Sequence, residues 1–107
     1  MLINSSPSTT TSMNNPRQIA VYSATNGAIM YTVPAGKKFV GYISAMATAA
    51  SAYSITPSGG VAQTFYAAYI NSTSLSTTPA QITLVAGTII TSNATNGLQL
   101  LGVESDL

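Results

Sequence analysis

From Gln18 onward, short runs rich in β-branched and aromatic residues alternate with turns built on Gly, Pro or Asn-Gly. That rhythm constrains the fold more than any other feature, because it leaves no segment long enough for a stable helix. "QIAVY" (18–22) alternates, with Ile19 and Val21 on one face. "SATNG" (23–27) carries an Asn26-Gly27 pair, which favours positive φ and predicts a hairpin into "AIMYTV" (28–33). In "PAGK" (34–37), Pro34 fixes φ and Gly36 frees a turn position, so the chain is expected to turn sharply into a third strand, "KFVGYISAMA" (38–47). "TAASA" (48–52) has helical propensity but is too short to stand as a helix.

Beyond it, "AYSIT" (52–56) reads as a strand, Pro57 to Gly60 as a turn, and "VAQTFYAAYI" (61–70) as a longer strand. Its alanines allow a helix, but the aromatic and β-branched residues favour a strand. "NSTSLSTTPA" (71–80) is a polar loop with one exposed leucine, Leu75. "QITLV" (81–85), with Ile82 and Leu84 inward, "TIIT" (88–91) and "LQLLGVE" (98–104) complete the set, the last ending in a polar tail from Glu104 to Asp106. "SNATNG" (92–97) supplies a second Asn-Gly turn, and "YTVPAGK" and "ITLVAGT" use one device twice, a strand ending in a Gly-centred turn. The pattern predicts an all-β protein: an antiparallel β-sandwich or jelly roll of seven to eight strands. It occupies a single domain over residues 17–107, after an extended N-terminal arm over residues 1–16.

The third predicted strand poses the functional question. Phe39, Gly41, Ile43 and Ala45 fall on one face, and Val40, Tyr42, Ser44 and Met46 on the other. A half-buried strand carries one strongly polar face, and this one does not. The Phe39/Ile43 face suits the core, which leaves Val40, Tyr42 and Met46 to form an assembly interface with a partner or a loop. Charge points the same way. Arg17, Lys37, Lys38, Glu104 and Asp106 are the whole ionisable complement apart from tyrosines and termini, 5% of the chain, against roughly 25% in ordinary soluble domains. Polarity comes instead from 14 Ser and 15 Thr, which solvate a surface without repelling a neighbour. This is either a compositional habit of the source or the surface of a protein that spends its life against other subunits. The arm fits the second reading: in a segment of Ser, Thr and Asn, the apolar residues Leu2, Ile3 and Met13 are the candidate anchors on a neighbouring subunit.

Catalysis has little to work with. The chain lacks cysteine and histidine, which removes disulfides, thiolate metal sites and the commonest catalytic base. Glu104 and Asp106 read as a solvated end, Lys37 and Lys38 as solvated turn lysines, and no base stands ready to activate the many hydroxyls. The expectation is no enzyme, no metal and no cofactor. Three scattered cations cannot form a phosphate-binding stripe, so nucleic acid is not an expected partner. No apolar run reaches membrane-spanning length, and the N-terminus lacks the pattern of a secretory signal. The glycosylation patterns at Asn71 and Asn93 are taken as chance. The aromatic residues suit either core and subunit interface or a sugar-binding platform, for which Gln63, Tyr66, Tyr69 and Asn71 are the candidates.

The runs "IMYTVPAGKKFVGYISAM" (29–46), "ITLVAGTII" (82–90) and "LQLLGVE" (98–104) resemble small β-sandwich virion structural proteins of tailed bacteriophages. The likeness rests on Tyr31 to Lys37 and on Ala86, Gly87 and Thr88. It implies a capsid decoration or cement protein, a homo-oligomer and often a trimer. Its arm would reach across the major capsid protein or other virion proteins. Such a protein is made in the host cytoplasm and resides on the capsid surface of the virion. The alternative within the same resemblance is a tail-associated adaptor or a receptor- or glycan-binding tip domain.

Overall fold

The computed structural model describes residues 13–45, 51–69, 81–95 and 97–107. Among them are eight strands: β1 (Asn14–Ser23), β2 (Ile29–Thr32), β3 (Lys37–Ala45), β4 (Ser51–Thr56), β5 (Gln63–Tyr69), β6 (Gln81–Val85), β7 (Ile89–Ser92) and β8 (Leu98–Asp106). They form two sheets packed face to face. The front sheet runs β1-β8-β3-β6, and the back sheet runs β2-β7-β4-β5. The last two residues of β5, Ala68 and Tyr69, pair in parallel with Ser44 and Ala45 of β3, so the sheets join at that corner.

The pairings are nested: β1 with β8, β2 with β7, β3 with β6 and β4 with β5. A long antiparallel ribbon, its two halves running side by side, is wound up with its corners in step, which is a jelly roll. Backbone hydrogen bonds bind the two halves where they bend together. At one corner the Gly27 N–H donates to Ser92 O (2.7 Å) and the Ser92 N–H to Ala28 O (2.8 Å). At the other, the Val33 N–H donates to Thr88 O and the Gly87 N–H to Val33 O, both at 2.9 Å. The two similar turn sequences thus lie against each other.

This winding corrects one expectation. Asn26-Gly27 does not close a hairpin: β1 and β2 belong to different sheets, and Gly27 (φ 88°) turns the chain across the sandwich. Among the described residues, only the Pro57 to Gly60 turn joins strands that are neighbours in both sequence and space, β4 and β5. The arm boundary also moves. β1 begins at Asn14, whose partner is Asp106 of β8, so residues 14–16 belong to the edge strand of the front sheet rather than to the arm. Asn15 (φ 51°) and Pro16 sit in a bulge between Asn14 and Arg17. An edge strand tolerates both, since Asn accepts the left-handed region and the missing donor of proline faces no neighbour.

Inward-facing residues of both sheets meet in one core: Ile19, Phe39, Ile43, Ala45, Leu84, Leu98 and Leu100 from the front, Met30, Tyr31, Tyr53, Ala67 and Ile90 from the back. At its centre Gly41 and Gly102 lie opposite each other on β3 and β8. The Phe39 ring folds over them: a Cβ on Gly41 would stand 2.6 Å from the ring tip and 2.3 Å from the Leu101 carbonyl oxygen. The glycine pair is therefore the seat of the largest fully buried side chain.

Candidate functional site

All five charged residues of the chain gather at one end of the front sheet. Antiparallel register sets Arg17 of β1 beside Glu104 of β8, and Lys37 of β3 beside Asp106 of β8. Glu104 points inward and is only 4% exposed. It accepts a hydrogen bond from the Tyr31 hydroxyl of the back sheet at 2.6 Å, and Arg17 Nε lies 3.6 Å from its other oxygen. Burial, reinforced by the hydrogen bond to Glu104, holds the Tyr31 phenol well above its ordinary range. The Tyr31 ring also packs on Phe39 with centroids 5.2 Å apart. Nearer the surface, Lys37 Nζ donates to Asp106 Oδ1, and Asn15 Nδ2 donates to Asp106 Oδ2 at 2.5 Å. The lysine and then the asparagine hold the Asp106 carboxyl below its usual value.

Two sequence expectations are corrected here. Glu104 and Asp106 are not a solvated tail, because β8 runs to Asp106 between β1 and β3. Lys37 is not a free turn lysine but the partner of Asp106 at the start of β3. Every carboxylate is thus spoken for by a cation, and Glu104 is walled off from solvent. The arrangement clamps the two sheets together.

The rest of the described surface carries no formal charge. On the outer face of the front sheet, register builds two rows across β1, β8 and β3: Ala20–Leu101–Tyr42 and Tyr22–Gln99–Ser44. Tyr22 is 60% exposed, Tyr42 46% and Leu101 52%. Small Ala20 and Ser44 occupy one diagonal of this grid and the two tyrosines the other. The result is a hollow of about 430 Å³ floored by Leu101 and Gln99. Toward the charged end the same face continues as Gln18–Val103–Val40–Thr83, with exposed Val85 alongside on β6. The outer face of the back sheet is richer in hydroxyls, with Thr91, Ser54 and Thr64 in one row, beside exposed Ile29 and Tyr66.

Of the expected assembly residues, Val40 and Tyr42 do share this outer face of β3, Tyr42 in the hollow and Val40 beside it. Met46 lies outside the described residues. So do Leu2 and Ile3 among the expected arm anchors, while Met13 is half-buried just ahead of β1. Gln63 and Tyr66 are both exposed but point to opposite faces of β5, so they do not form one platform. Tyr69 takes part in the corner with β3 through its backbone, and Asn71 lies outside the described residues. Sequence reasoning missed Tyr22, Gln99 and Leu101, whose association depends on β8 inserting between β1 and β3.

No family model matches the chain, and no curated protein or solved structure is detectably similar to it.

Proposed function

We propose that this protein is a non-enzymatic structural component of a tailed-bacteriophage virion, a decoration or cement protein that stabilises the head lattice as a homo-oligomer. The observation that carries this reading is the surface. Four of the five charged side chains are drawn into two ion pairs at one corner, Lys38 alone stands on the outer face of the front sheet beside Val85, and the remaining faces present valine, tyrosine, leucine and hydroxyls to their surroundings. Such faces offer little resistance to self-association or to packing on another protein, because they carry almost no charge to repel a neighbour or to be stripped of strongly held water. An eight-stranded jelly roll fits the role, since that winding serves capsid and lectin domains alike. The Val40–Val103 strip and Val85 offer an apolar contact surface, and the uncharged N-terminal segment offers an arm to a neighbouring subunit. The sequence resemblance over residues 29–46, 82–90 and 98–104 supplies the virion context.

The test is decoration of empty heads. Purified protein added to undecorated particles should bind them and raise their resistance to heat and to low salt. Deleting residues 1–12, which stops short of β1, should leave the sandwich folded and lower occupancy. Full occupancy by the shortened protein would remove the arm from the account, and failure of the intact protein to bind would remove the decoration role.

A further inference from the structure

The outer face of the front sheet sinks at its uncharged end. Four of the side chains that line this hollow are polar without being charged: the Tyr22 and Tyr42 phenols, the Ser44 hydroxyl and the Gln99 amide. Together they supply both donors and acceptors. Among the described residues, none of the four has a hydrogen-bond partner within the protein. The register puts the two tyrosines two strands apart and one row out of step, roughly 12 Å across at ordinary strand spacing. Between them runs an open diagonal bounded by Ala20 and Ser44, with Leu101 and Gln99 as its floor. No charged side chain lines the hollow; on this outer face the nearest is Lys38, four residues from Tyr42 along β3, about 13 Å at ~3.3 Å per residue.

We propose that this hollow binds a neutral oligosaccharide. A pyranose ring has an apolar face of C–H groups that rests on an aromatic ring, and a rim of hydroxyls that both donate and accept. The two tyrosines match the first feature, and Gln99, Ser44 and the phenols match the second. The volume, about 430 Å³, lies within the roughly 300–1,000 Å³ of ordinary ligand pockets. With no charged side chain in its lining, the hollow selects against sialylated, sulfated or phosphorylated sugars, which need a cation in contact to offset their desolvation. A protein partner would also use exposed tyrosines, but it gives no reason for a concave floor carrying the Gln99 amide. The inference stands apart from the virion reading, since it depends on the face alone.

The experiment uses the full chain on an array of neutral and sialylated oligosaccharides, with hits measured by titration calorimetry. A neutral oligosaccharide should bind with little salt dependence, and its sialylated form should bind no better. Tyr22→Ala and Tyr42→Ala should each weaken binding about tenfold or more. Ala20→Gln, which fills the hollow from an exposed edge position, should do the same while leaving the fold intact. Tyr66→Ala, on the other sheet, should change nothing. The proposal is overturned if no neutral oligosaccharide binds at millimolar concentration, or if binding survives Tyr22→Ala, Tyr42→Ala and Ala20→Gln. It is equally overturned if Tyr42→Ala dissociates a homo-oligomer in a protein that binds no sugar, because the face then belongs to a second copy.

Discussion

The strands β1, β8 and β3 do opposite things at their two ends. At the Asp106 end they gather every charge in the chain and use the pairs to tie the front sheet to itself and, through Glu104 and Tyr31, to the back sheet. At the Gln99 end they leave two tyrosines and a leucine exposed over a hollow. The difference separates stability from recognition. One end is polar because its polar groups face each other; the other is apolar although it faces outward. In a chain with so few charges, this division leaves nearly the whole exterior free to be in contact with something else.

The largest effect should come from the seat between the two ends. Phe39→Ala empties the space over Gly41 and Gly102 and should cost about 3–5 kcal/mol in chemical denaturation. Gly41→Ala attacks the same seat from below. Its methyl would meet the Leu101 carbonyl, which is backbone and cannot swing aside, so a loss of about 1–3 kcal/mol is expected. A near-neutral Gly41→Ala would mean that the two strands can part there without consequence.

Next is the buried half of the charged corner. Glu104→Ala leaves the Tyr31 hydroxyl buried without an acceptor and should cost about 2 kcal/mol. Little of that comes from the ion pair, since the Arg17 side chain is two-thirds exposed. Glu104→Gln, which keeps an acceptor, should restore most of it. Equal losses in the two variants would show that charge, not the hydrogen bond, matters at Glu104.

Titration sharpens the same contrast. The Tyr31 phenol is raised in the folded state, so its contribution is complete below the ordinary tyrosine value and is lost as pH rises beyond it. Stability should therefore fall above about pH 10, and Tyr31→Phe should flatten that fall. Asp106 is held low, so its contribution is present above the usual carboxylate value of about 3.9 and is lost as pH drops through its folded value. Melting temperatures across pH, compared with those of Asp106→Asn, measure this acid arm, which should be the shallower because Asp106 lies at the surface. The smallest effect belongs to the hollow: Tyr22→Ala should leave stability within about 0.5 kcal/mol. A loss there as large as that of Glu104→Ala would erase the distinction between the ends.

What the sequence showed about the fold was its local part. Alternation and turn residues placed seven of the eight strands to within two residues at each end, with β6 at Gln81–Val85 and the inward Ile19, Phe39, Ile43 and Leu84 as expected, while β1 begins at Asn14, four residues before the expected start. Those signals are carried by neighbours in the chain. Pairing is not: a turn residue such as Gly27 fixes where the backbone bends but not which sheet receives the next strand. The same limit hid both ends of the front sheet. Glu104 reads as a tail because its partner Tyr31 lies 73 positions earlier. Tyr42 was legible as an outward residue, but Tyr22 and Gln99 join it only through the insertion of β8 between β1 and β3.

The central claim is that this protein works by assembly on a virion, and the most direct measurement is its copy number in purified particles. Quantitative mass spectrometry, referenced to the most abundant virion protein, gives that number. Hundreds of copies per particle are predicted, as a head lattice requires of a protein that decorates it throughout. A dozen copies or fewer would move the protein to the tail, and absence from purified particles would contradict the account.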